Sequence, residues 1–153
     1  MDVAYINPFI RSTRSVIETM NRMPVMSGKA YLKDRAERLR NRYALSTAIE
    51  LSGGVTGIVA LTFTESAALG LASGMMGEKA LKLEGDCLDA LREVTSMIAG
   101  SAKKDLPGGL VKLGLPKLLK VDSVPYPPGC SVIGIPWDSG CGRFILEITF
   151  KGT

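Results

Sequence analysis

The segment YALSTAIELSGGVTGIVALTFTESAALGLASGMMG, residues 43–77, constrains the fold of this chain more than any other stretch. In its first part Leu45, Thr47, Ile49 and Leu51 fall on one side of an alternating run, and VTGIVALTF resumes strand character after Ser52-Gly53-Gly54. A glycine pair between two such runs suits a tight turn, so the runs form an antiparallel hairpin. Thr64 then stands where a helix N-cap belongs, Glu65 favours the positive end of the helix dipole, and Gly77 is placed to end a short helix.

The flanking sequence extends this pattern. Asn7-Pro8 offers an N-cap and a proline for a first helical position, and Phe9, Ile10, Val16, Ile17 and Met20 follow at near-helical spacing, which predicts a helix over about 8–22. A longer helix is expected over about 85–104, with Leu88, Leu91, Thr95, Ile98 and Ala102 on its core stripe and Lys103 and Lys104 at its negative end. After the loop DLPGGL come three strand-like segments, VKLGLPKLLKV, CSVIGIPW and RFILEITF. The last alternates, with Phe144, Leu146, Ile148 and Phe150 set against Arg143, Glu147, Thr149 and Lys151, and Asp138-Ser139-Gly140 supplies the turn before it. The order of elements predicts an α/β (α+β) fold: a mostly antiparallel sheet with two long helices and one short helix packed on one face. A long helix followed by strands occurs twice, which suggests pseudo-repeated halves without sequence identity between them. At 153 residues the chain is expected to be a single domain, 1–153.

Composition removes several function classes. The chain has no histidine, which excludes Ser-His-Asp and Cys-His nucleophilic systems and histidine-based zinc sites. Its apolar runs are far shorter than the roughly 20 residues of a membrane span, so no membrane insertion is expected. Three cysteines (Cys87, Cys130, Cys141) with no CxxC pair fit reduced thiols and a cytoplasmic setting. The net charge of +4 concentrates in LKDRAERLRNR, where Asp34 and Glu37 dilute the basic residues and no aromatic is interleaved for base stacking. That stretch reads as a solvated loop or strand edge, and nucleic acid is not an expected partner.

Within the predicted helix DALREVTSMIAGSAKKD, Asp89, Glu93, Ser96 and Gly100 lie along one face, away from the core stripe. On residue types alone this is an ordinary wet helix face. The surrounding sequence, however, resembles the CheX branch of the CheC/CheX/FliY chemotaxis phosphatases. Their signature is Asp or Ser, three residues, Glu, two residues, Asn on a helix, and later a proline in a strand. Asp89, Glu93 and Pro116 match it, and SMIAGSAKKDL resembles the family's NMIAGNAKREL. YINPFI, VIETM, GIVALTFTESAALGLASGMMGE and VIGIPWDSGCGRFILEITF are also similar to this branch, so the resemblance spans nearly the whole chain.

The resemblance implies a CheC-like fold, a homodimer formed through the sheets, and hydrolysis of the aspartyl phosphate on a CheY-type response regulator. It implies that Glu93 pairs with the regulator's lysine while the residue at position 96 orients the attacking water. The regulator would bring its own Mg²⁺, and the chain itself would bind no cofactor or metal. A histidine-free protein suits such a task, because it need only position water. The departure is Ser96, where the pattern has Asn, and it implies weakened activity. A second Glu-x-x-Asn, Glu18 with Asn21, lies where two-site members carry their other copy. The alternative is a module that binds a receiver domain without hydrolysing its phosphate.

Overall fold

The computed structural model describes residues 2–22, 24–33 and 42–151. In chain order the elements are α1 (Val3–Asn21), β1 (Met26–Ser27), β2 (Tyr31–Leu32), β3 (Leu45–Gly53), β4 (Gly57–Phe63), α2 (Glu65–Met76) and α3 (Asp86–Ala102). A 3₁₀ turn (Lys103–Asp105), β5 (Val111–Leu113), β6 (Lys117–Leu119), β7 (Ile133–Asp138) and β8 (Arg143–Phe150) follow. The expected glycine hairpin is β3–β4, paired antiparallel from Leu45↔Phe63 to Leu51↔Gly57. The short helix behaves as read. Thr64 Oγ1 accepts from the Ala67 amide at 3.3 Å, and Gly77 closes the helix in the left-handed region at φ 71°.

Among the described residues, all eight strands join one sheet in the order β1-β7-β8-β4-β3-β5, with β2 also on β7 and β6 also on β3. Every pairing is antiparallel. The three described α-helices pack together on one face over a core that includes Phe9, Ile17, Leu61, Leu71, Leu91, Ile98 and Leu146. Tyr5 and Phe9 of α1 reach Phe150, with ring centroids 5.3 and 6.0 Å apart. Trp137 is buried and stacked on Phe144 at 6.0 Å, with the Arg14 guanidinium 5.5 Å from its ring centre.

Four expectations need correction. First, α1 begins at Val3 rather than near residue 8, because Asp2 caps it through Oδ1 and the Ala4 amide (2.9 Å). Pro8 therefore lies inside the helix, where it lacks an N–H to donate. Second, β8, which as the last strand would offer an uncovered edge for pairing a second copy, is not an edge, since β7 and β4 flank it on its two sides. Third, the polar side of its alternation is exposed only at its ends, Arg143 and Lys151, while Glu147 and Thr149 between them are each 1% exposed. The sheet's second face is covered by Tyr43, Leu119, Val121, Val124 and Tyr126, packed on Ala48, Ile58, Ala60 and Ile145. Fourth, VKLGLPKLLKV is two short strands, and Pro116 sits in the break between them rather than within a strand.

Glu147 survives burial because it is fully partnered. Its carboxylate accepts from Lys33 Nζ at 2.6 Å, the Thr62 hydroxyl at 2.8 Å and the Tyr126 hydroxyl at 3.2 Å, as a buried charge requires. Lys33, read as part of a solvated basic stretch, is thus a structural cation. Residues 34–41 of that stretch lie outside the described residues.

Candidate functional site

Helix α3 is held by its buried side and by two hydrogen bonds from other elements. Its core side is broader than the predicted stripe, with Cys87, Ala90, Val94 and Ala99 buried beside Leu91, Thr95, Ile98 and Ala102, while Leu88 is half-buried. The Thr95 hydroxyl donates to Leu91 O at 2.9 Å, which leaves the Thr47 hydroxyl of β3 to donate to Thr95. From α1, the Ser12 hydroxyl donates to Ile98 O at 2.6 Å. These buried bonds tie the helix to the sheet and to its neighbour. Its outward face is thereby presented on a rigid support, as a positioning site needs. Sequence reading placed Thr95 in the core; Ser12 and Thr47 carried no local signal, because their partners lie 86 and 48 residues away.

Gly85 precedes α3 at φ 53° without a side-chain cap, and Asp86 and Asp89 in the first turn complement the dipole instead. The outward face then carries Asp89, Glu93, Ser96, Met97 and Gly100. Asp89 is engaged by Arg92 through Nη1 and Oδ1 at 2.6 Å, an exposed i,i+3 pair. Glu93 is exposed and Ser96 half-exposed. Neither side chain has a hydrogen-bond or ionic partner among the described residues.

The second pair differs. Glu18 is half-buried and its Oε2 accepts from the Val25 amide at 3.2 Å, bracing the chain where it leaves α1. Asn21 is the last residue of α1, with Nδ2 3.9 Å from Cys141 Sγ. Its Oδ1 lies against Gly74 of α2, only 2.9 Å from where a β-carbon there would sit. Both polar groups face neighbouring parts of the same chain.

An open depression of about 340 Å³ lies between the end of α2 and the start of α3, bordered by Met76, Leu81, Lys82 and Asp86. It includes neither Glu93 nor Ser96. Those two residues stand on a convex helix surface, a shape that can enter another molecule's cleft but cannot enclose a small substrate.

A family model described as chemotaxis phosphatase CheX matches residues 45–137, more than half of the chain. The chain belongs to the CheX family. A CheC-like superfamily protein from Shewanella sp. PV-4 is 30% identical, with a TM-score of 0.86 over 99% of this chain and 100% of that one. The chemotaxis protein CheX from Vibrio vulnificus is 28% identical, with a TM-score of 0.83 over 96% and 99% of the two chains. The fold also matches the CheX of a CheX–CheY–BeF₃–Mg²⁺ complex from Borrelia burgdorferi, at 20% identity and a TM-score of 0.77 over 97% and 99%. No curated protein sequence matches. Membership of this family accords with the CheC-like fold described above. No described helix is long and apolar enough to cross a membrane. Within this CheX-family chain, Asp89 and Glu93 keep the signature's spacing on α3 and Ser96 occupies its amide position.

Proposed function

We propose that the chain dephosphorylates a phosphorylated CheY-type response regulator, using Glu93 and Ser96 on α3. The observation that carries this reading is the contrast between the helices: Glu93 and Ser96 have no partner among the described residues, whereas Glu18 and Asn21 are taken up by the fold. Family membership supplies the substrate class, and the Borrelia complex shows that a CheX of this fold docks on CheY.

In the proposed complex, α3 enters the regulator's phosphorylation cleft. Glu93 pairs with the regulator's conserved-chemistry partner, a lysine ammonium, and fixes register. The Ser96 hydroxyl accepts a hydrogen bond from a water and holds it in line with the phosphorus. The water oxygen bonds to phosphorus, the P–O bond to the aspartate breaks, its electron pair returns to the carboxylate, and the proton leaves with phosphate. Mg²⁺ comes with the regulator, and this chain contributes orientation alone. Asp89 is a positioning residue of this reading, one turn before Glu93 and held in an exposed pair with Arg92. A homodimer formed through sheet edges remains part of this reading. Its route is then β1–β2 or β5–β6, where the pairing ends, rather than β8.

The test is the rate of phosphate loss from receiver domains of the host with the wild-type protein, Glu93→Ala, Ser96→Asn and Asn21→Ala. The proposal expects loss of hydrolysis in Glu93→Ala, a gain in Ser96→Asn and no change in Asn21→Ala. Loss on Asn21→Ala moves the site to α1. A second reading, binding without hydrolysis, is favoured by the single hydroxyl at position 96. It wins if the wild type binds the loaded receiver yet leaves its dephosphorylation rate untouched.

A further inference from the structure

Gly100 stands one turn beyond Ser96 on the outward face of α3, and nothing among the described residues requires it to be glycine. A β-carbon placed there would meet no atom within 4 Å. Its φ is not positive, and the helix continues past it, with Lys103 N–H bonded to Ala99 O. Most of the other described glycines have an internal reason. The two in α2 are pressed by neighbours: Gly70 lies under the Cys141 side chain, and Gly74 lies against Asn21. Of the remainder, all but Gly114 adopt positive φ or have a neighbour under 3.0 Å from the β-carbon position, and Gly114 lies in ordinary contact with Glu50, at 3.5 Å from its carbonyl oxygen. Glycine inside a helix is less stable than alanine, so the fold carries a cost at position 100 that its own packing does not explain.

We infer that Gly100 is a docking residue: its bare backbone lets the receiver domain approach α3 flush, bringing Glu93 and Ser96 to depth. This rests on the receiver-binding reading above and specifies how the same face is shaped. Met97, three residues earlier and 39% exposed, supplies the apolar contact beside the bare turn. Met97, Gly100 and the unpartnered Glu93 thus form one strip: apolar contact, clearance and charge. Ser96 makes clearance more valuable, because its hydroxyl reaches less far than an amide and the helix must sit closer.

A substitution at Gly100 should therefore act with opposite sign on stability and on binding. Thermal melts and titration calorimetry would compare wild type, Gly100→Ala and Gly100→Leu, using the host's CheY-type receivers loaded with BeF₃⁻ and Mg²⁺ as the probe. Gly100→Ala is expected to raise the melting temperature by about 2–4 °C while weakening binding by about tenfold, with a larger loss for Gly100→Leu. Unchanged affinity in both variants overturns the docking role while leaving receiver binding intact. A lower melting temperature for Gly100→Ala also overturns it, by revealing an internal need for glycine. Failure of the wild type to bind any loaded receiver removes the inference together with the reading it rests on.

Discussion

A serine hydroxyl ends one bond nearer the helix than an asparagine amide, and it can donate only one hydrogen bond. At position 96 the water must therefore come closer to α3 or be held less well in line. A misplacement near 1 Å costs on the order of 100-fold in rate, so Ser96→Asn should accelerate receiver dephosphorylation by about 10–100-fold. A phosphate-release assay at saturating receiver checks this, and an unchanged rate would mean that position 96 does not hold the water. The residue scale also sets a pH response. Burial, and then the Glu147 carboxylate it bonds, push the Tyr126 phenol well above its usual pKa. In the unfolded chain it ionises near about 10, so above that pH the unfolded state binds fewer protons and stability falls as pH rises. Below that range its contribution is intact. Urea midpoints from pH 8 to 11 should show a shallower alkaline decline for Tyr126→Phe than for wild type; parallel curves would assign the decline to other groups.

At the scale of elements, what could be read from the sequence was whatever depended on neighbours in the chain. Thr64, Gly77 and the Ser52-Gly53-Gly54 turn each act within a few residues, and α2 and the β3–β4 hairpin lie where the pattern put them. The start of α1 was misread because Asn7-Pro8 imitates a helix beginning, while the working cap is Asp2. The alternation of β8 was real, yet alternation reports residue type and not what covers a face. Glu147 is polar because it meets Lys33, 114 residues away, not water. The site helix was legible through the family motif; the engagement of Glu18 and Asn21 was not, since it depends on Val25, Gly74 and Cys141 coming together in space. The Lys33–Glu147 pair ties the chain just after edge strand β2 to a central strand, so it stabilises an element rather than a residue. Removing one partner of a buried pair costs about 3–5 kcal/mol. Lys33→Ala should lose stability of that order in urea unfolding, whereas a loss below about 1 kcal/mol would show that water takes over the carboxylate.

The whole molecule is organised about the β4–β8 pairing, whose register runs symmetrically from Gly57↔Phe150 to Phe63↔Phe144. On each side of this centre lies a hairpin, β3–β4 and β7–β8, and each hairpin is completed by strands from the other half. β1 and β2, which follow α1, pair with β7; β5 and β6, which follow α3, pair with β3. The suspected repeat is thus an exchange of edges, carried by backbone pairing, which is why no residue identity between halves betrays it. Neither half can finish its sheet alone, and α1 and α3 pack on each other across the same centre through Ser12 and Ile98. Such interlocking should make the chain unfold as one cooperative unit. Native-state hydrogen exchange is the direct check: amides of β4 and β8 should share the highest opening free energy, with those of β1, β2, β5 and β6 lower. If the β3–β4 amides open at a free energy well apart from those of β7–β8, the halves are separate folding units. The rigid presentation of α3 would then depend on one half only.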